Sequence, residues 1–223
     1  MGSVIGGFLP QAIGVALSPM PIIAVILMLT TKGGRTNGLA FIAGWFAALI
    51  VFMFAGPLLA STIGKGVGHP SRFAAVLNVA FGLALLYLAW RNWKSRPAPG
   101  AVVQKPKWLE ALDAFSPPKA LGLGALLAIV NVKNLPLALS AVAEMSAADL
   151  ETLQVLIASA VFAVIGSLGV LLPVLVYILG GDKATKTLAG WEKWLSDNNA
   201  TIMFLLFLVL GVKALGNGLG KLF

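Results

Sequence analysis

Residues Thr152–Gly180 read TLQVLIASAVFAVIGSLGVLLPVLVYILG. No charged side chain interrupts these 29 residues. A helix needs about 20 apolar residues to cross about 30 Å of hydrocarbon, so this run predicts a membrane span. A barrel strand would alternate apolar and polar residues, and this run does not. Working outward, five more runs come close to or exceed that length: Val4–Thr31, Gly38–Ala60, Phe73–Trp90, Lys119–Met145 and Ala200–Leu219. The fold class expected is an all-α polytopic membrane protein with six transmembrane helices.

Composition agrees with the spans. Of 223 residues, 59% are hydrophobic and 11% are charged, against about 45–50% and about 25% in a soluble domain. Such a chain is too apolar for disorder and too small to hide that much apolar surface in a soluble core. It contains no cysteine, which excludes disulfides, thiolate metal sites and thiol redox chemistry. The net charge of +8 reads as a cytoplasmic-face bias rather than as nucleic-acid binding. The amino terminus lacks a basic region, and its apolar run is too long for a signal peptide, so it is read as the first span.

Six spans put both termini on one side. That side carries three basic residues, Lys65, Arg72 and Lys221. The other carries eleven: Lys32, Arg35, Arg91, Lys94, Arg96, Lys105, Lys107, Lys119, Lys183, Lys186 and Lys193. Lys and Arg accumulate on the cytoplasmic side. Both termini are therefore expected outside, with loop 91–118 in the cytoplasm. Trp90, Trp93, Trp108, Trp191 and Trp194 fall near the same face, as an aromatic belt would. Within the loop, Lys107–Phe115 sets Trp108, Leu109, Leu112 and Phe115 on one helical face, which predicts an interfacial amphipathic helix. Gly190–Asn198 is a second candidate of that kind. A plain solvated linker is the alternative for each.

The halves of the sequence echo each other. Pro21 and Pro136 stand 136 − 21 = 115 residues apart, and Pro57 and Pro173 stand 173 − 57 = 116 apart. Each half holds three spans, an odd number, so the second half must be inverted relative to the first. The expected organisation is one membrane domain over 1–223. It comprises a three-helix repeat at 1–90, a linker at 91–118 and a second repeat at 119–223.

Proline inside a helix removes a hydrogen bond and clashes with the preceding turn. Ser18-Pro19-Met20-Pro21 should break span one, and Asn131-Val132-Lys133-Asn134-Leu135-Pro136 should break span four. Broken backbone at membrane depth is tolerated where it is packed in protein or lines a wet cavity. Paired broken spans point to a transporter site near the midplane; packing kinks without a ligand are the alternative. Lys133 at a span centre costs about 2.5–3.5 kcal/mol on insertion scales and should face the interior. Its expected partners are carbonyls freed by the breaks or an anionic ligand, with snorkelling to an interface or simple carbonyl pairing, without a ligand, as the alternative. A phosphate or carboxylate head group would suit Lys133, the Asn131 and Asn134 amides, Ser18 and an exposed helix amino end. The candidate substrate-binding set is Ser18, Pro19, Pro21, Asn131, Lys133, Asn134 and Pro136.

Gln11, Asn78, Ser140, Ser159 and Ser167 are read as partners in interhelical hydrogen bonds. The spans carry no carboxylate away from their ends, and no cluster of metal ligands. No nucleophile–base pair indicates an enzyme, and no cofactor or metal is expected.

Ala16-Leu17-Ser18-Pro19-Met20-Pro21-Ile22-Ile23-Ala24-Val25, followed by Gly38-Leu39-Ala40-Phe41-Ile42-Ala43-Gly44-Trp45, resembles the peptidoglycolipid-addressing family, which includes the sulfolipid-addressing proteins of mycobacteria and relatives. The resemblance covers essentially the whole chain. In the second half the family tends to show Asn-Pro-Lys-Asn, and this chain has Val132 in place of the proline. The resemblance implies a lysine-exporter-type fold of six spans in inverted repeats, in the bacterial inner membrane. It implies a role in moving glycolipids of the cell envelope. The expected function is a transporter or flippase for an anionic or glycosylated lipid. A small-solute exporter, for example of an amino acid, is one alternative. A non-transporting accessory of a larger lipid-export complex is another. Expected partners are the membrane lipid or glycolipid, a larger lipid exporter and a second copy of the chain in a homodimer, with no nucleic acid.

Overall fold

The computed structural model describes residues 1–64, 72–96, 115–131, 133–148, 150–220 and 222, and their regular structure is helical throughout. In chain order the helices are α1 (Gly2–Ala16), α2 (Pro19–Leu29), α3 (Gly34–Gly64), α4 (Arg72–Lys94), α5 (Pro117–Ile129), α6 (Asn134–Ala147), α7 (Thr152–Gly180) and α8 (Asp182–Leu219). Of the described residues, α3, α7 and most of α8 are long and apolar enough to cross a membrane. Each of the pairs α1/α2 and α5/α6 qualifies as one bent span, which makes five. Helix α4 stands where the third expected span lies.

Both expected breaks are present. The axes of α1 and α2 differ by 47°, and those of α5 and α6 by 63°. The prolines do not sit inside kinked helices, however. Pro19 and Pro21 lie in the first turn of α2, and Pro136 lies in the first turn of α6. There the missing N–H would have no intrahelical partner anyway. Each break is thus a helix end followed by a fresh, proline-tolerant helix start. Pro57 and Pro173 lie within α3 and α7, which continue through them.

The described helices fall into two compact units, and each unit draws on both halves of the sequence. The first holds α1, α2, α3, α5, α6, α7 and the start of α8. Glycines set its closest crossings. A Cβ on Gly44 of α3 would overlap the Leu121 carbonyl of α5, and one on Gly124 of α5 would overlap the Phe41 carbonyl of α3. A Cβ on Gly169 of α7 would overlap the Ala16 carbonyl at the end of α1. Small residues let membrane helices approach to backbone contact, where packing takes the place of a hydrophobic driving force. Phe8 of α1 meets Phe162 of α7 edge-on at 5.7 Å.

The second unit pairs α4 with the remainder of α8. Gly82 approaches Leu215, Gly211 approaches Leu86, and Gly218 approaches Val79, so the two helices run antiparallel. Trp93 packs on Phe204 at 4.8 Å. Trp90 and Trp93 are exposed at the end of α4, with Lys94 over the Trp90 ring at 4.6 Å and Arg96 over Trp93 at 3.8 Å. That arrangement suits an aromatic belt with basic neighbours.

One expectation changes. Gly190–Asn198 is no separate amphipathic helix: it continues without interruption inside α8. The Lys107–Phe115 helix lies outside the described residues, apart from Phe115 itself. The Phe115 carbonyl accepts a 2.9 Å bond from Asn37 Nδ2 at the start of α3.

Candidate functional site

The two breaks meet. Ser18 precedes α2 as its N-cap residue in extended conformation, yet makes no side-chain bond to its own helix. Its hydroxyl donates to Asn134 Oδ1 at 2.7 Å. Asn134 opens α6, and its Nδ2 donates to the Leu127 carbonyl in the last turn of α5 at 3.1 Å. One asparagine therefore bridges the broken ends of its own span and holds the other span. Ser18 is 1% exposed and Asn134 0%. At that burial an unpaired amide would cost about 1–3 kcal/mol, which is why both amide atoms find partners.

Lys133 sits at the same junction as the N-cap of α6, 3% exposed. Its ammonium donates to the Gly14 carbonyl of α1 at 2.6 Å. Gly14 lies in the last turn of α1, where carbonyls lack the N–H of a following turn and carry the negative end of the helix dipole. Lys133 is paired with a carbonyl and does not snorkel. An ammonium has three donors, and among the described residues the Gly14 carbonyl is the acceptor it reaches. Asn131 Oδ1 accepts the Lys133 backbone N–H at 3.1 Å and shapes the turn between α5 and α6.

The expected set thus separates into roles. Ser18, Lys133 and Asn134 converge in space. Asn131 supports the turn beside them. Pro19 and Pro21 are buried and Pro136 is half-buried in the helix starts, where they fix the backbone and offer no polar group. Val132 lies outside the described residues. The junction brings together a buried lysine, a hydroxyl, an amide and two helix amino ends.

Sequence reasoning missed the carbonyls of Gly14 and Leu127, because a backbone acceptor leaves no residue-type signal. It also missed Glu144 as a partner of Gln11 on α1. Gln11, 1% exposed, donates through Nε2 to Ser140 Oγ at 3.2 Å and to Glu144 Oε1 at 2.7 Å, both on α6. The reading of Gln11 and Ser140 as interhelical partners holds. Ser159 and Ser167 differ. Their hydroxyls bond back to the Val155 and Ala163 carbonyls four residues earlier on α7, a common resting state of buried helical serine. Among the described residues there is no cluster of His, Cys, Asp or Glu able to hold a metal ion.

Bundled apolar helices with two interrupted spans, joined through a polar junction, define a multi-pass helical membrane protein. The model of the sulfolipid-1-addressing protein family (Sap) matches residues 8–220, nearly the whole chain, and the chain belongs to that family. No curated protein matches the chain, nor does any solved structure.

Proposed function

We propose that this chain is a transporter or flippase that moves an anionic or glycosylated envelope lipid across the bacterial inner membrane. The head group would be held where the two breaks meet. One observation carries the reading: a nearly fully buried Lys133 ammonium, held among the described residues by one carbonyl, at the junction of two broken spans. Desolvating a charge is expensive, and a single neutral acceptor compensates it only in part. An anionic head group arriving at the junction would complete the lysine's hydrogen bonds and gain from the amino ends of α2 and α6. The family's name ties its members to the addressing of a sulfolipid, which fits an anionic lipid as the ligand.

Packing also favours a six-span inverted repeat. Helix α3 of the first half packs on α5 of the second through Gly44 and Gly124, while α7 of the second half packs on α1 of the first through Gly169. That exchange is what two repeats related by an axis in the membrane plane produce. In this reading α4 is the third span, both termini face outside and loop 91–118 is cytoplasmic. The lipid moves as one repeat rocks against the other, and neither metal, cofactor nor enzymatic step takes part.

The test is mass spectrometry of lipids that copurify with the detergent-solubilised chain, wild type beside Lys133→Ala. An anionic lipid or glycolipid enriched on wild type and lost from the variant is the expected result. The same bulk lipids in the same proportions on both would remove the site.

A further inference from the structure

Helices α1 and α6 run antiparallel and are clasped twice. At the junction, Lys133 of α6 holds the Gly14 carbonyl of α1. Eleven residues further along α6, about 16 Å at 1.5 Å per residue, Glu144 is held by Gln11 of α1 at 2.7 Å. The second clasp is tight. A Cβ on Gly7 would come within 2.6 Å of Glu144 Oε2, so the carboxylate lies against the α1 backbone itself. The amide nitrogen of Gln11 serves both Ser140 and Glu144. The only two ionisable side chains of α6 and its N-cap therefore both grip α1, one at each end of the shared seam.

We propose that Glu144 is a proton-binding site that opens and closes α1 against α6 and so couples protonation to the occupancy of the Lys133 junction; the coupling rests on the anion-site reading above. The carboxylate takes its proton from water at the membrane face where α6 ends. While ionised, Glu144 accepts a charge-assisted bond from Gln11, roughly twice as strong as a neutral one. Once an oxygen carries a proton, that bond becomes an ordinary neutral one and the clasp weakens. At the other end, an anion that takes the Lys133 ammonium draws it away from the Gly14 carbonyl. Proton and anion thus loosen the same interface, and ligands that favour the same state of one two-state element are coupled reciprocally.

Among the described residues, the helices packed against Glu144 carry few other ionisable side chains. Helix α1 has no ionisable side chain, with the Met1 amino group at its start, and α7, which packs on α1, has only Tyr177. Helix α3, which meets α6 at Gly56 and Val142, has only Arg35, at its far end. Helix α5 has only Lys119, in its first turn. On its own element the nearest is Lys133, and beyond α6 Glu151 caps the start of α7.

The chain has no cysteine, which makes paired spin labels at Leu9→Cys and Ala143→Cys practical. Both positions are exposed, one on each helix of the pair. The full chain, in nanodiscs of zwitterionic lipid without added ligand, is measured between about pH 4 and about pH 8, a range bracketing an ordinary carboxylate. The expected result is a longer inter-label distance at low pH in the wild-type background. Glu144→Gln should show one distance distribution at every pH. Lys133→Met, which removes the inner clasp, should move the midpoint up by about one pH unit, as a tenfold gain in the open state would. A pH-independent wild type, or a titration that survives Glu144→Gln, overturns the proton site. A midpoint unmoved by Lys133→Met overturns the coupling. No lipid ligand enters these measurements, so failure of the lipid-retention test at Lys133 is distinguishable from failure of the proton site.

Discussion

Ser18 and Asn134 lie 116 residues apart in sequence and 2.7 Å apart in space. The same separation relates Pro57 to Pro173, and 115 relates Pro21 to Pro136. The two bonded side chains thus occupy nearly equivalent places in the two halves, at the starts of α2 and α6. The Ser18–Asn134 bond ties the starts of α2 and α6 together, with Lys133 beside it.

Removing one partner of that bond should be costly. Ser18→Ala leaves Asn134 Oδ1 buried without its donor, an expected loss of about 1–3 kcal/mol. Ser18→Ala combined with Asn134→Leu should lose less than the sum of the single changes, by about 0.5 kcal/mol or more for residues in contact. Reversible unfolding in mixed micelles gives the cycle directly. Strict additivity would show that the two residues do not interact.

Lys133 should separate stability from binding. Replacing a buried charge by an apolar side chain of similar length is often neutral or stabilising. Lys133→Met is therefore expected to unfold no earlier than wild type, while losing its retained anionic lipid. If the variant instead unfolded much earlier, the lysine would be a structural post and its carbonyl bond the reason for its presence.

How much of this was legible in the sequence follows from what each feature rests on. The spans were readable because apolar length is a one-dimensional property, as in Thr152–Gly180. The breaks were readable because Pro19, Pro21 and Pro136 punctuate any helix. Their detailed role was not. Proline at a helix start and proline in a kink look alike without knowing where hydrogen bonding resumes. The Ser18–Asn134 contact could not be read from the proline offset, because a spacing along the chain does not fix a distance in space. The Gln11–Glu144 clasp left no local trace, since a carboxylate near a span end reads as an interfacial residue until another helix supplies its donor.

Gln11→Leu isolates the far clasp without touching an ionisable group. It removes the bonds to Ser140 and Glu144 together. A bond to a charged group contributes about 1.5–3 kcal/mol, so a loss of that size is expected where Glu144 is ionised. Protonated Glu144 makes only a neutral bond, so the penalty should shrink toward about 1 kcal/mol at low pH. Unfolding measured at two pH values checks this. An equal penalty at both would mean that Gln11 does not sense the charge on Glu144.

The glycine crossings make the most geometric prediction. A Cβ on Gly169 would sit within the space of the Ala16 carbonyl, and the neighbour is backbone, which cannot rotate away. Gly169→Val must therefore push α7 off the end of α1, beside the break. Overpacking of that kind costs about 1–3 kcal/mol. It should also disturb the junction, because Ala16 is followed closely by Ser18. Gly122→Ala is the control: a methyl group there would meet nothing within 4 Å. Exchanging glycine for alanine within a helix should stabilise by up to about 1 kcal/mol. Loss of lipid retention in Gly169→Val, with retention intact in Gly122→Ala, would tie the close approach of α7 to the geometry of the site. Equal behaviour of the two variants would mean that α7 does not press on the break.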